Sequence, residues 1–174
     1  MNHIDAYCIT LNANDEKRAV KAKRDIQKIG FKSFNFAPGV YLKDYKGEEL
    51  DAILKKLVSV RAYFELKNGR YVHEALSGVG SVGCYMAHYN LWKLCVEQNK
   101  EIAVFEDDFE LLDDNRIEII QKSYREATQK KYDILRIVFS IEKDIYKVDE
   151  NSLNSALIGK VIRIQGSGCY ILTP

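Results

Sequence analysis

The stretch Ile102-Ala-Val-Phe-Glu-Asp-Asp108 constrains the fold more than any other part of the chain. Four apolar residues in a row read as a strand buried on both faces, the kind found in sheets covered by helices. Three consecutive acids then end it. In an open α/β sheet, ligands bind beyond the carboxyl ends of the strands, and that is where Glu106, Asp107 and Asp108 would be delivered. Like charges this close repel, and a divalent cation relieves the repulsion. Hard carboxylate oxygens suit Mg2+ or Mn2+ together with the phosphate oxygens of a substrate. The triplet also reads as a solvated acidic turn, with Asp107 or Asp108 capping the next helix. The acids by themselves leave both readings open.

The rest of the chain supplies partners for such a strand. Ala6-Tyr-Cys-Ile-Thr-Leu11 is a short run of strand formers, and residues 12–15 break it. A helix follows from about Asp15, with Ala19, Ala22, Ile26 and Ile29 at helical spacing and Gly30 as its stop. Phe34 and Phe36 alternate in a second strand that Pro38-Gly39 turns. Leu50, Ile53, Leu54 and Leu57 predict an amphipathic helix over residues 47–58. Asn68-Gly69 predicts a hairpin over residues 63–72.

A glycine-spaced loop, residues 77–81, leads into a long helix ending near Glu97. Its two apolar stripes, one through Val82, Tyr85, Met86, Tyr89 and Trp92 and one through Cys84, His88, Leu91 and Cys95, predict burial on two faces. Ile117, Ile120 and Tyr124 mark a further helix, and strands are expected at residues 132–139, 161–164 and 169–172. Strands alternating with helices imply one α/β domain with an open sheet of mostly parallel order. Residues 102–105 should be its central strand, beside the first strand and under the helix of residues 82–97.

Other chemistry finds less support. The glycine loop could approach a phosphate at a helix N-terminus, but no Walker lysine follows and the third glycine is displaced from a dinucleotide fingerprint; alone it reads as a connection. His88, between Cys84 and Leu91, reads as a satisfied core histidine. Three scattered histidines and no nucleophile elbow do not support a Ser-His-Asp or Cys-His system. Lys and Arg number 26 against 25 acids, so no global field draws the chain to nucleic acid or an anionic membrane. No apolar run approaches the roughly 18 residues of a membrane span, and the N-terminus lacks signal-peptide character. A cytoplasmic protein with Cys8, Cys84, Cys95 and Cys169 unpaired and mostly buried is expected.

Taken together, these motifs resemble glycosyltransferase family 25. The likeness rests on Tyr7-Cys-Ile-Thr-Leu-Asn12 with Arg18 downstream, and on Phe36-Ala-Pro-Gly39. It rests further on Gly80-Ser-Val-Gly-Cys84 with Ala87-His-Tyr-Asn-Leu-Trp92, and on Val104-Phe-Glu-Asp-Asp108. Residues 132–135 and 168–171 match more weakly. The resemblance implies a GT-A type nucleotide-sugar fold in which the acid triplet serves as the DxD motif. By that carry-over Glu106 and Asp108 hold Mn2+ or Mg2+, and Glu106 contacts the ribose or a metal-bound water. Asn12 and Arg18 hold the nucleotide, Ala37 and Gly39 line its base or ribose, and Ser77, Gly80, Ser81 and Asp107 complete the nucleotide-sugar site.

Ser81 stands where the family commonly has Glu, and Ala87 where it has Ser, which leaves the transferred sugar undefined. The resemblance also implies a family portion beyond residues 169–172, which the 174-residue sequence is expected to lack. The implied activity is cation-assisted, inverting transfer of galactose or glucose from a UDP-sugar to a saccharide or other hydroxyl acceptor, with the base unassigned. The alternatives are a non-catalytic binding module of the same fold, a metal-dependent phosphoryl or nucleotidyl transferase, and a structural domain with solvated acids.

Overall fold

A computed structural model describes residues 1–69, 78–111, 113–137 and 168–174. The strands are β1 (Asp5–Thr10), β2 (Ser33–Pro38), β3 (Ile102–Glu106), β4 (Ile134–Arg136) and β5 (Cys169–Leu172). The helices are α1 (Ala19–Lys28), α2 (Gly47–Leu57), α3 (Val60–Asn68), α4 (Val79–Gln98) and α5 (Asn115–Lys130). One sheet runs in the order β2-β1-β3-β5-β4. β1 pairs parallel with β2 and β3, whereas β5 pairs antiparallel with β3 and β4. The architecture is therefore an open mixed α/β sheet flanked by helices. Two of its four pairings are parallel, fewer than the strand-helix alternation led us to expect.

β3 is the central strand, and Ile102, Ala103, Val104 and Phe105 are all fully buried. Its alternation sorts the core into two layers. Ala103 and Phe105 pack with Ala6, Cys8, Ala22, Ile26, Ile29 and Tyr124, under α1 and α5. Ile102 and Val104 face the other way, against Leu91, Cys95 and Tyr170. Glu106, two residues beyond Val104, inherits the α4 side. Among the described residues no helix is long and apolar enough to cross a membrane. All four cysteines are free; three are buried and Cys84 is exposed.

Several local expectations are corrected. The hairpin at residues 63–72 is instead α3 as far as Asn68. Ser59 caps it by accepting from the Ala62 amide, and Gly69, at φ 62°, ends it in the left-handed conformation. Asn-Gly supplies positive φ to a helix end as readily as to a hairpin; residues 70–72 lie outside the described residues. The helix expected from Asp15 begins at Ala19, with the Asp15 carboxylate accepting from the amides of Lys17 and Arg18 just before it. The glycine loop is mostly helix: Gly78 is the N-cap of α4, and residues 79–81 form its first turn. Only one face of α4 is buried, since Tyr85 and Tyr89 are exposed. The strand expected at residues 161–164 and the end of the one at 132–139 lie outside the described residues.

Gly83 shows why α4 carries a glycine inside it. A Cβ at this position would stand 2.2 Å from the Val40 carbonyl oxygen, a backbone atom that cannot rotate away. Gly83→Ala should therefore destabilise the fold by roughly 1–3 kcal/mol, the usual range for overpacking, despite alanine's better helix propensity. A urea midpoint equal to or above that of the wild type contradicts this close approach.

Candidate active site

The candidate site lies where β1, β2 and β3 end together. β1 and β3 run in register, Ile9 beside Glu106, so one further step sets Thr10 next to Asp107. The chain does not stay extended there. The Phe109 amide donates to the Glu106 carbonyl at 3.1 Å, which closes a turn and sends the three carboxylates in different directions.

Asp107 is tied down. Thr10 Oγ1 donates to its Oδ2 at 2.7 Å, and Arg18 Nη2 lies 2.6 Å from its Oδ1. The Asn12 amide donates to Thr10 Oγ1 at 3.1 Å, and the Gly39 amide to the Thr10 carbonyl at 2.8 Å. One threonine thus links the ends of β1 and β2 to the acid. Arg18 reaches Asp108 only at 3.9 Å, and the Asp108 side chain is 65% exposed against 17% for Asp107. Cys8 records the combined field of the triplet: burial first, then Asp107, Asp108 and Glu106, push its thiol up to about 12.

Glu106 turns toward α4. Its Oε1 lies 3.3 Å from His88 Nε2, while His88 Nδ1 lies 2.8 Å from the Tyr170 hydroxyl. Trp92 Nε1 donates to that same hydroxyl at 2.7 Å. Indole N–H is donor only, so the Tyr170 oxygen accepts from it and keeps a second lone pair and its own proton to meet Nδ1. In a neutral ring protonated on Nε2, Tyr170 donates to Nδ1 and Nε2 donates to Glu106. Protonating the ring adds a donor at Nδ1 and leaves the Nε2 donor in place. Burial opposes the charged ring, the neighbouring Cys84 and Glu106 favour it, and the pKa is raised to about 9.

Of the residues expected at a nucleotide-sugar site, Asn12, Arg18, Gly39, Glu106, Asp107 and Asp108 gather at these strand ends. Asn12 Oδ1 is spent on the Asn14 amide. Ala37 is buried in the α4-side core. Gly80 and Ser81 lie in the first turn of α4, and Ser77 is outside the described residues. Sequence reasoning missed Thr10, Trp92 and Tyr170, and it placed His88 in the core alone. The residue is 2% exposed, so the burial was read correctly; its contact with Glu106 was not. A cavity of 590 Å³ beside His3, Lys32 and Glu101 lies at the opposite ends of the strands, away from the acids.

This arrangement, an acid triplet at the end of a buried central strand facing a Gly-Cys and His-x-x-x-Trp helix, coincides with a family pattern. The model of glycosyltransferase family 25, described as an LPS biosynthesis protein family, matches residues 3–173. The chain belongs to glycosyltransferase family 25. A glycosyltransferase 25 family member of Drosophila melanogaster is 31% identical over 133 residues, covering 74% of this chain and 20% of the relative. One from Drosophila pseudoobscura pseudoobscura is 26% identical over 176 residues, 96% of this chain and 26% of the relative. The chain thus spans between a fifth and about a quarter of the length of these relatives. The mixed five-stranded sheet is consistent with the GT-A-like fold that the family resemblance implied.

The His88 environment of this family 25 chain has a consequence for stability. Its folded pKa of about 9 lies above the ordinary value of 6.5. A raised pKa contributes stability that is full below the unfolded value and is lost as pH rises through the folded one. The contribution is on the order of 3 kcal/mol for a ring this buried. The stability difference between wild type and His88→Gln should therefore narrow from pH 6 to pH 10. A difference that holds constant in urea titrations across that range would show that His88 does not change charge on unfolding.

Proposed function

We propose that the chain is a glycosyltransferase domain that moves a hexose, galactose or glucose, from a UDP-sugar to a saccharide or other hydroxyl acceptor with inversion. The observation that carries this reading is the sorting of the triplet: Asp107 is paired with Arg18 and hydrogen-bonded by Thr10, Glu106 is held by His88, and Asp108 faces solvent. A half-buried and an exposed carboxylate with only hard oxygen donors fit Mn2+ or Mg2+. Asp108 would hold the ion directly, with Glu106 beside it or on the ribose. When bound, such a cation supplies neutralising charge for the departing diphosphate.

The protein groups have roles apart from the ion. Thr10 and Arg18 keep the Asp107 charge compensated, so that it adds little repulsion toward an incoming diphosphate. His88, gripped by Tyr170, keeps the Glu106 carboxylate from rotating freely, which lowers the ordering cost of binding. Arg18 is half exposed and has a planar fork suited to phosphate oxygens, so nucleotide binding can draw it from Asp108 without breaking the Asp107 contact. Inversion requires a base to take the acceptor's proton, and the described residues leave that group unassigned.

Binding is the appropriate test for a chain shorter than its relatives. Calorimetry should show UDP binding that depends on Mn2+. Asp108→Asn should weaken that binding tenfold or more, in line with the 2–4 kcal/mol often lost with a charge-stabilising group. Asp107→Asn should weaken it less and instead lower stability by about 1 kcal/mol, since Thr10 and Arg18 lose a charged partner. The difference follows from those contacts and not from strand alternation, which the turn after Glu106 interrupts. Equal UDP binding with and without Mn2+, or no binding in either condition, overturns this function.

A further inference from the structure

The face of α4 turned toward Glu106 gathers three metal-binding side chains of different chemistry. Cys84 Sγ, a His88 ring nitrogen and a Glu106 carboxylate oxygen all lie within 4.8 Å of one another. We propose that these three residues form a site for one borderline divalent cation, Zn2+, distinct in chemistry from the oxygen-only site at Asp108. The site does not depend on the glycosyltransfer reading of the acids.

Spacing and support argue for it together. Residues 84 and 88 are one helical turn apart and project from the same face of α4. Zn2+ takes thiolate at about 2.3 Å and imidazole or carboxylate at about 2.0–2.2 Å, so neighbouring tetrahedral ligands stand roughly 3.3–3.6 Å apart. The His88–Glu106 pair is already at 3.3 Å. The thiol must draw in by up to roughly 1.5 Å, within reach of a side-chain adjustment at an exposed residue.

His88 also has the outer partner that a ligating imidazole normally needs. Tyr170 holds Nδ1, and Trp92 holds Tyr170, so the ring is fixed with Nε2 aimed at Glu106. When Zn2+ occupies Nε2, the proton there is released to solvent, and the Nδ1 proton is donated to the Tyr170 oxygen, whose two lone pairs serve Trp92 and His88. The Cys84 thiol proton is released to solvent. A fourth position remains on the side where Cys84 is exposed, for water or a ligand.

The donor set also sorts the metals. Thiolate and imidazole favour Zn2+ strongly over Mn2+ and Mg2+, whereas carboxylates alone favour the latter pair. Two cations can therefore be distinguished by neighbouring donors that share Glu106. Zn2+ at Cys84 and His88 withdraws Glu106 from a nucleotide, which makes it an inhibitor; only this consequence rests on the proposed function.

Metal titration of the full chain tests the site without any turnover. The metal-free protein should bind one equivalent of Zn2+ in competition with a chromogenic chelator. Co2+ should give a near-ultraviolet thiolate charge-transfer band that Zn2+ abolishes. Cys84→Ser, a change at an exposed position, should remove the band and weaken Zn2+ binding at least tenfold, and His88→Gln should weaken it as much. Asp108→Asn should leave both band and affinity unchanged. Absence of the band, its survival in Cys84→Ser, or loss of Zn2+ binding in Asp108→Asn overturns the site. Failure of Mn2+-dependent UDP binding leaves these readouts untouched, so the two ideas fail separately.

Discussion

The two-sided burial of β3 is the constraint on which the rest of the molecule depends. Its four apolar residues are hydrogen-bonded to β1 on one edge and β5 on the other, and both faces are covered. Burying them fully is worth several kcal/mol at about 25 cal/mol per Å², a large share of a typical domain's net stability. The strand cannot slip by one residue, because that would send Phe105 and Ala103 to the α4 side and reverse both layers. Register is thus fixed, and with it the level at which three acids leave the sheet. The position of the site is a by-product of packing the core.

Three adjacent carboxylates at that level are tolerated because each has a different surrounding. Glu106 continues the strand's alternation and meets a histidine. Asp107 turns toward β1, where a threonine hydroxyl and a guanidinium take up its charge. Asp108 is left in water, where the high dielectric makes its charge cheap. Without this division the mutual repulsion would act through the low-dielectric core beneath, where Cys8, its thiol raised first by burial, is raised further by all three acids. The surplus negative charge is confined to the open side of the strand ends, the place where a cation or a cation-bound diphosphate can approach.

Much of this was legible in the sequence, and the failures have particular causes. Apolar runs identified β1, β3 and β5, and helical spacing identified α1, α2 and α4, because burial on a fixed period leaves a one-dimensional trace. The Gly-Cys, His-x-x-x-Trp and acid motifs together carried the family. Gly69 misled because positive φ serves hairpins and helix ends alike. The apolar run of β3 does not show where the strand ends, and the hydrogen bond from Phe109 to Glu106 bends the chain within the acid triplet. His88 was placed correctly on a buried face, but no local pattern shows what a buried residue touches. Its partner Tyr170 is 82 residues away, and that contact exists only once the sheet order is known.

The antiparallel addition of β5 explains how that contact arises. Tyr170 pairs with Val104, so its side chain shares a sheet face with Val104 and, two residues on, with Glu106. That face is the one α4 covers, and His88 and Trp92 meet Tyr170 there as consecutive turns of one helix. A parallel β5 would reverse the order of Cys169 and Ile171 beside β3, and the hydroxyl would gain no such partners by register alone. Buried polar groups cost free energy unless satisfied, and an apolar trio of similar volume would fill this space without the requirement. The relay's geometry ends on a half-exposed carboxylate at the mouth of the site, not on another core atom. Its hydrogen bonds therefore do more than satisfy one another: they transmit the rigidity of the β3–β5 pairing to Glu106, the acid of the triplet that faces α4.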